Sequence, residues 1–205
     1  MRSNLLSSLK FFTAVLLVLA GSAASCKHEG TKTAVLDPAS ATAVKAQFDV
    51  LRDSVDSKWR NMIASDDQKI GIVRLLLREL KNQPGTDQTK LPGLEQANAR
   101  LKPLRYNQQT MASSPLIDQY DAAQDSLLRA LYPVAAPNGN APTENARNFV
   151  EGIQQIDAGV VGYRVQYDRA AKQYNEYLKL HQAELQTLGS KYAEQKPLPL
   201  FELQN

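Results

Sequence analysis

The side chains that most often carry catalysis or hold metals are scarce in this sequence. It has two histidines, His28 and His181, and one cysteine, Cys26. A zinc site takes three or four ligands, and two distant histidines with one cysteine do not supply them. Di-iron helical proteins need Glu-x-x-His from two helices, whereas position 178, three before His181, is Leu. No Gly-x-Ser-x-Gly elbow occurs, and neither histidine is placed to activate a serine or threonine. Gly152, Gly159 and Gly162 fall inside a helical pattern rather than after a strand, so they do not form a phosphate loop. Asp66-Asp67 and the set Asp118, Asp121, Asp125 are acidic clusters. The second would place carboxylates near one helix face, where a cation could sit, but isolated surface carboxylates usually do nothing. The expectation is a protein with no catalytic residues, no metal and no cofactor. His181 is expected to serve packing or an edge of the fold.

Composition narrows the class further. The 205 residues are 43% apolar and 22% charged, the balance of a globular domain. Net charge is +3, and Arg2 and Lys10 lie in the leading segment, which leaves about +1 on the rest by the same counting. No Lys/Arg stripe with interleaved aromatics appears, so nucleic acid is not an expected partner.

The first 26 residues carry a different kind of chemistry. Met1–Lys10 is polar and basic, Phe11–Leu19 is apolar apart from Thr13, and Ala20–Ser25 are all small. This is the order of a secretory signal, and its apolar run is short for a bilayer span. The small run ends in Ala23-Ala24-Ser25-Cys26, which resembles the lipobox of bacterial lipoproteins. It departs from the commonest pattern, which has Leu first; the nearest Leu here is Leu19. The resemblance implies a signal peptide over 1–25, cleavage before Cys26 and lipid on the Cys26 sulfur. The other reading is ordinary signal cleavage leaving a free thiol, which an oxidising compartment disfavours. Residues 26–36 read as a tether and 37–205 as the folded domain. The implied address is the cell envelope, on the periplasmic side of a membrane. Lys27 stands where an Asp is often associated with inner-membrane retention, which leans the reading toward the outer membrane.

Every periodic segment in the domain is helical. Phe149, Ile153, Ile156, Val160, Tyr163, Tyr167, Ala170, Tyr174, Tyr177 and His181 recur at alternating steps of four and three, a seam on one side of a helix. The spacing predicts one helix over 143–189, with Thr143 as N-cap and Gly189 as stop. Arg164, Asp168, Lys172 and Glu176 form an i, i+4 ladder expected on a wet face. Gly152, Gly159 and Gly162 suggest a close helix approach. A second long helix is predicted over 38–81, with Asp37 as cap and Pro38 in the first turn. Its stripe is Val44, Phe48, Leu51, Val55, Trp59, Met62, then Ile70, Val73, Leu77, Leu80, and Ser65-Asp66-Asp67-Gln68 offers a place to break. Leu91, Leu94, Ala97, Leu101 and Leu104 mark a shorter helix that Pro103 should kink or end. Leu116, Tyr120, Ala123, Leu127 and Leu131 mark another. Gln83–Lys90, Met111–Ser114 and Tyr132–Pro142 are the connectors. The expected fold is all-α: an antiparallel bundle of about four helices, two long and two shorter.

Tyr163, Tyr167, Tyr174 and Tyr177 share the seam, which offers two readings. They line an aromatic groove for a lipid, glycan or partner helix, or their rings fill the core with hydroxyls at its edge. The run Lys196-Pro197-Leu198-Pro199-Leu200-Phe201 either packs back on the helices or serves as a docking segment. Tyr163, Tyr167, Tyr174, Tyr177 and Phe201 are therefore the candidate interaction surface. Tyr163-Arg164-Val165-Gln166-Tyr167-Asp168-Arg169-Ala170-Ala171-Lys172-Gln173-Tyr174-Asn175-Glu176-Tyr177, then Lys196 to Glu202, resembles the C-terminal half of the LemA family. Val55-Asp56-Ser57-Lys58-Trp59 is similar to that family's first helix, while its Asp-Leu-Ile-Pro-Asn-Leu stretch is replaced by Ile70–Leu80 and residues 83–142 carry no match. The resemblance implies a membrane-anchored helical protein tied to no enzymatic reaction. Members usually carry a transmembrane N-terminus, for which lipid on Cys26 would substitute. The function expected is a non-enzymatic interaction module with an envelope protein as partner. The alternative is an envelope protein that binds lipid or a small ligand.

Overall fold

The computed structural model describes residues 40–201. Cys26, His28, the signal peptide, the tether, Asp37 and Pro38 lie outside the described residues, as do residues 202–205. Within them the chain is helical and has no strand. The elements are α1 (Ala41–Lys81), α2 (Leu91–Leu104), α3 (Ser114–Ala135), α4 (Glu144–Leu180), and two short helices, α5 (Gln182–Gln186) and α6 (Ser190–Ala193). Single 3-10 turns stand at Thr110–Ala112 and Pro137–Gly139.

Helix α1 starts on Ser40, whose hydroxyl accepts the Ala43 N–H at 3.3 Å and so satisfies a donor that the first turn leaves free. It runs 41 residues without interruption, about 60 Å at the standard rise. The expected weak point at Ser65–Gln68 does not break it. Asp66 and Asp67 point their carboxylates sideways to Arg105 instead of turning back to cap the backbone, which removes the competition that would end the helix.

Helix α4 lies along α1 in the opposite direction. The Tyr177 hydroxyl donates to the Val44 carbonyl at 3.4 Å, Lys69 Nζ meets Asp157 at 2.9 Å, and the Thr143 hydroxyl donates to Glu79 at 2.9 Å. Between these ties Phe48, Val55, Val73 and Leu77 of α1 and Ile153, Tyr167, Ala170 and Tyr174 of α4 are buried in one core. Thr143 caps α4 as expected, accepting from the Ala146 N–H at 3.1 Å.

Of the shorter helices, α2 packs on α1 and α3 packs on α2. Helix α2 runs back along α1: Lys81 pairs with Glu95 at 2.7 Å, and Asn98 donates to the Ile70 carbonyl at 3.1 Å. Pro103 sits in its last turn, and Arg105 is already extended. Helix α3 continues through Pro133 to Ala135, four residues into the expected connector, because Val134 and Ala135 are core residues. The turn that follows uses Asn138 and Gly139 at positive φ, 56° and 80°, a conformation those two residue types tolerate best.

Three expectations for α4 need correction. The helix ends at Leu180, not at Gly189. Residue 177 lies opposite residue 44, so a helix continued to 189 would run about 18 Å past the α1 partner of Tyr177. The chain instead turns at His181, and Leu185 and Tyr192 fold back as core residues, with the Tyr192 ring 6.0 Å from Phe48. Gly189 supplies a positive φ of 91° ahead of α6. Second, the charged ladder is not on a wet face throughout: Lys172 and Glu176 are exposed, Arg164 is half-buried, and Asp168 is only 3% exposed. Third, the glycines do not mark a close helix contact. A Cβ at Gly152 would sit an ordinary 3.5 Å from Ile72, one at Gly159 would meet only Tyr163 of its own helix, and one at Gly162 would meet nothing within 4 Å.

Candidate interaction site

The helices bring five aromatic rings together at mid-height. Trp59 comes from α1, Tyr106 from the α2–α3 link, Tyr120 from α3, Tyr167 from α4, and Phe201 from the extended segment after α6. Trp59 stands 5.4 Å from Tyr167 and 6.3 Å from Tyr106; Tyr106 stands 5.7 Å from Tyr120 and 5.9 Å from Phe201; Tyr167 stands 5.7 Å from Phe201. All five contacts are edge-to-face, the arrangement that ring quadrupoles favour.

Two arginines clamp this cluster through three ion pairs. Arg164 reaches both carboxylate oxygens of Asp121, at 2.7 and 2.9 Å, and its guanidinium lies 5.0 Å over the Phe201 ring. Arg105 binds Asp66 and Asp67 of α1, and Asp66 also accepts the Tyr120 hydroxyl. Burial, with Asp66 beside it, pushes the Tyr120 phenol well above its ordinary range. Burial also raises Tyr106, against the pull of the Arg164 charge, and raises Tyr167 to about 12. Near neutral pH these phenols are protonated; Tyr120 donates to Asp66 and Tyr167 to the Pro199 carbonyl, while Tyr106 accepts from Arg164 at 3.4 Å.

The segment Leu198–Phe201 is strapped to α4 through its main chain. Asn175 reads both polar groups of one residue: its Oδ1 accepts the Leu198 N–H at 2.7 Å and its Nδ2 donates to the Leu198 carbonyl at 2.8 Å. The Tyr167 hydroxyl donates to the Pro199 carbonyl at 3.3 Å, and Asp168 accepts the Phe201 N–H at 2.9 Å. Seven helical residues, from 168 to 175, rise about 10.5 Å, and three extended residues, from 198 to 201, cover about 10 Å. That match fixes the register, with the strap antiparallel to α4. It also explains why Asp168 is buried.

The five residues read from sequence as one surface are therefore distributed. Tyr167 and Phe201 join the mid-height cluster. Tyr174 is core as well, 5.0 Å from Phe48, with its hydroxyl on Gln195; Tyr167 and Tyr174 are 0% and 2% exposed. Tyr177 is half-buried against the His181 ring at 4.2 Å. Tyr163 is half-buried and borders a small void with Asp66, Lys69, Arg105 and Arg164. His181 caps α4 and stands 3.6 Å from Glu184. Among the described residues no three His, Cys, Asp or Glu side chains group as a metal site, and no helix is long and apolar enough to cross a membrane. Arg105, Tyr106 and Lys69 were not singled out from sequence. Their partners lie some tens of positions away, and the one local signal was the helix stop at Pro103 that delivers Arg105 and Tyr106.

The void beside Tyr163 measures about 30 Å³. Larger hollows open at the surface: a groove of about 560 Å³ between α2 and α3, floored by Leu94, Leu101 and Leu127 with Lys90 and Arg100 at its edge, and a cleft of about 760 Å³ beside the strap. No family model matches the chain, and no curated protein or solved structure matches it.

Proposed function

We propose that the chain is a membrane-anchored, non-enzymatic interaction module of the bacterial cell envelope, held by lipid on Cys26 and built as an antiparallel bundle of four helices, in the manner of a LemA-like lipoprotein. The observation that carries this reading is the packed aromatic cluster at mid-height, where the hollow beside Tyr163 is small. A void of about 30 Å³ admits a water or two, whereas ligand pockets are on the order of 300–1,000 Å³. The anchor rests on residues 1–26 and the family reading on the residues quoted for it. The partner is an envelope protein.

A second reading has one observation in its favour. The α2–α3 groove is apolar, its volume lies in the ligand range, and its edge is basic, a combination that suits an acyl chain with an anionic head. One experiment separates the two. A photoreactive residue is placed at exposed Val161 on α4, and in a second variant at Ala130 in the groove, in intact cells. A dominant protein adduct supports the interaction module; adducts to lipid alone, at Ala130 and not at Val161, move the function to lipid binding. For the anchor, Cys26→Ala is expected to leave the protein in the soluble fraction. A variant that still pellets with membranes overturns the lipid reading.

A further inference from the structure

The strap is held as a bound peptide would be held. Four hydrogen bonds join Tyr167, Asp168 and Asn175 to its main chain, Leu198 and Leu200 pack against the core, and Phe201 slots between Tyr106 and Tyr167 beneath Arg164. Main-chain clamping with one aromatic slot is how extended and proline-containing peptides are recognised, because proline keeps the segment extended and lowers the cost of ordering it. The outer side of the strap borders the open cleft, and Leu198–Phe201 are half-buried rather than enclosed. Exposed Lys196 and Pro197 lead into it, so it can lift from α4 without unwinding a helix.

We propose that this face of α4 is a peptide-recognition site, and that its occupant in trans is the Leu198–Phe201 segment of a second copy of the chain. The second copy is favoured because its segment has the register already seen: a residue free to pair both main-chain groups with Asn175, a proline carbonyl for Tyr167, and an aromatic residue two positions beyond that proline for the slot. Two copies brought close exchange straps, and each contributes Phe201 to the other's site. The resident strap competes with an effective concentration on the order of millimolar, so isolated wild-type chains keep it in cis. This inference does not depend on the membrane reading.

The test uses two full-chain variants, differently tagged, mixed in non-ionic detergent. Asn175→Ala breaks its own clamp and frees its strap; Phe201→Ala weakens its own strap and frees its site. Circular dichroism and thermal melts confirm that each is folded. The mixed pair is expected to associate at least about tenfold more tightly than either variant with itself, read by sedimentation or co-purification. A folded mixture that stays monomeric up to about 1 mM overturns the proposal. If Asn175→Ala does not fold, a labelled peptide of residues 195–201 is titrated into Phe201→Ala alone. Saturable binding supports the site, and none up to about 1 mM overturns it. Peptide binding without association of the mixed chains overturns the second copy as occupant.

Discussion

Asp66 is the carboxylate whose loss should be felt most. It ties three helices at once: it belongs to α1, binds Arg105 at the end of α2, and accepts the Tyr120 hydroxyl of α3. The Arg105 and Asp66 side chains are 12% and 14% exposed, so little solvent screens them. Removing one member of a buried pair costs about 3–5 kcal/mol, since the other charge is left desolvated. Arg105 keeps a second partner, Asp67 at 3.0 Å, which is itself more than a third exposed and compensates in part. Asp66→Asn also keeps a carbonyl for Tyr120. The expected cost is therefore about 2 kcal/mol, below the full penalty. For a domain of this size that lowers the melting midpoint by about 4–8 °C. Asp67→Asn, in the more exposed pair, should cost about 1 kcal/mol or less. Thermal unfolding followed by circular dichroism measures both. An Asp66→Asn variant that melts with wild type, or an Asp67→Asn variant that melts lower, would refute the assignment of Asp66 as the inner partner.

Other outcomes follow from the same contacts. Lys69 is 4% exposed while its partner Asp157 is nearly half exposed, so Lys69→Met should change stability by less than about 1 kcal/mol, as the freed carboxylate returns to water. Lys69→Ala should lose about 2 kcal/mol or more through the cavity it leaves; equal losses in urea titrations for the two would contradict this. Gly162→Ala should stabilise by about 0.5–1 kcal/mol, because a Cβ there meets nothing within 4 Å and the helix interior gains rigidity; a lower urea midpoint would count against it. Burial raises Tyr167 from 10.0 to about 12, so folded and unfolded chains are both protonated below pH 10 and the unfolded chain loses its proton first above it. Stability should be fully present below about pH 10 and fall by about 1.4 kcal/mol per pH unit for this group up to about pH 12. Urea midpoints across that range, with tyrosinate absorbance on the same samples, would show it; tyrosinate appearing fully before any loss of stability would not fit.

Much of the local structure was legible in the chain. The four-three spacing from Phe149 to His181 places an apolar stripe on a helix whatever packs against it, Thr143 satisfies the first-turn donors of that helix, and Asn138-Gly139 relieve a turn that needs positive φ. These are consequences of backbone geometry within a few residues. The tertiary structure decided which face meets what. Asp168 read as one rung of a solvated ladder, and it is buried because a segment thirty-three positions later needs an acceptor for the Phe201 N–H. Asp66 and Asp67 read as an acidic cluster where the helix could break and recap, and Arg105, delivered by the end of α2, takes both carboxylates. Gly189 reads as the stop of α4, yet the helix ends at Leu180, just past the Tyr177–Val44 contact, and Leu185 and Tyr192 find apolar cover by turning back. A repeat of 3.6 residues specifies a helix and its apolar side. The length over which that side is covered, and the charge that can be buried beside it, depend on partners distant in sequence, and those only the folded chain supplies.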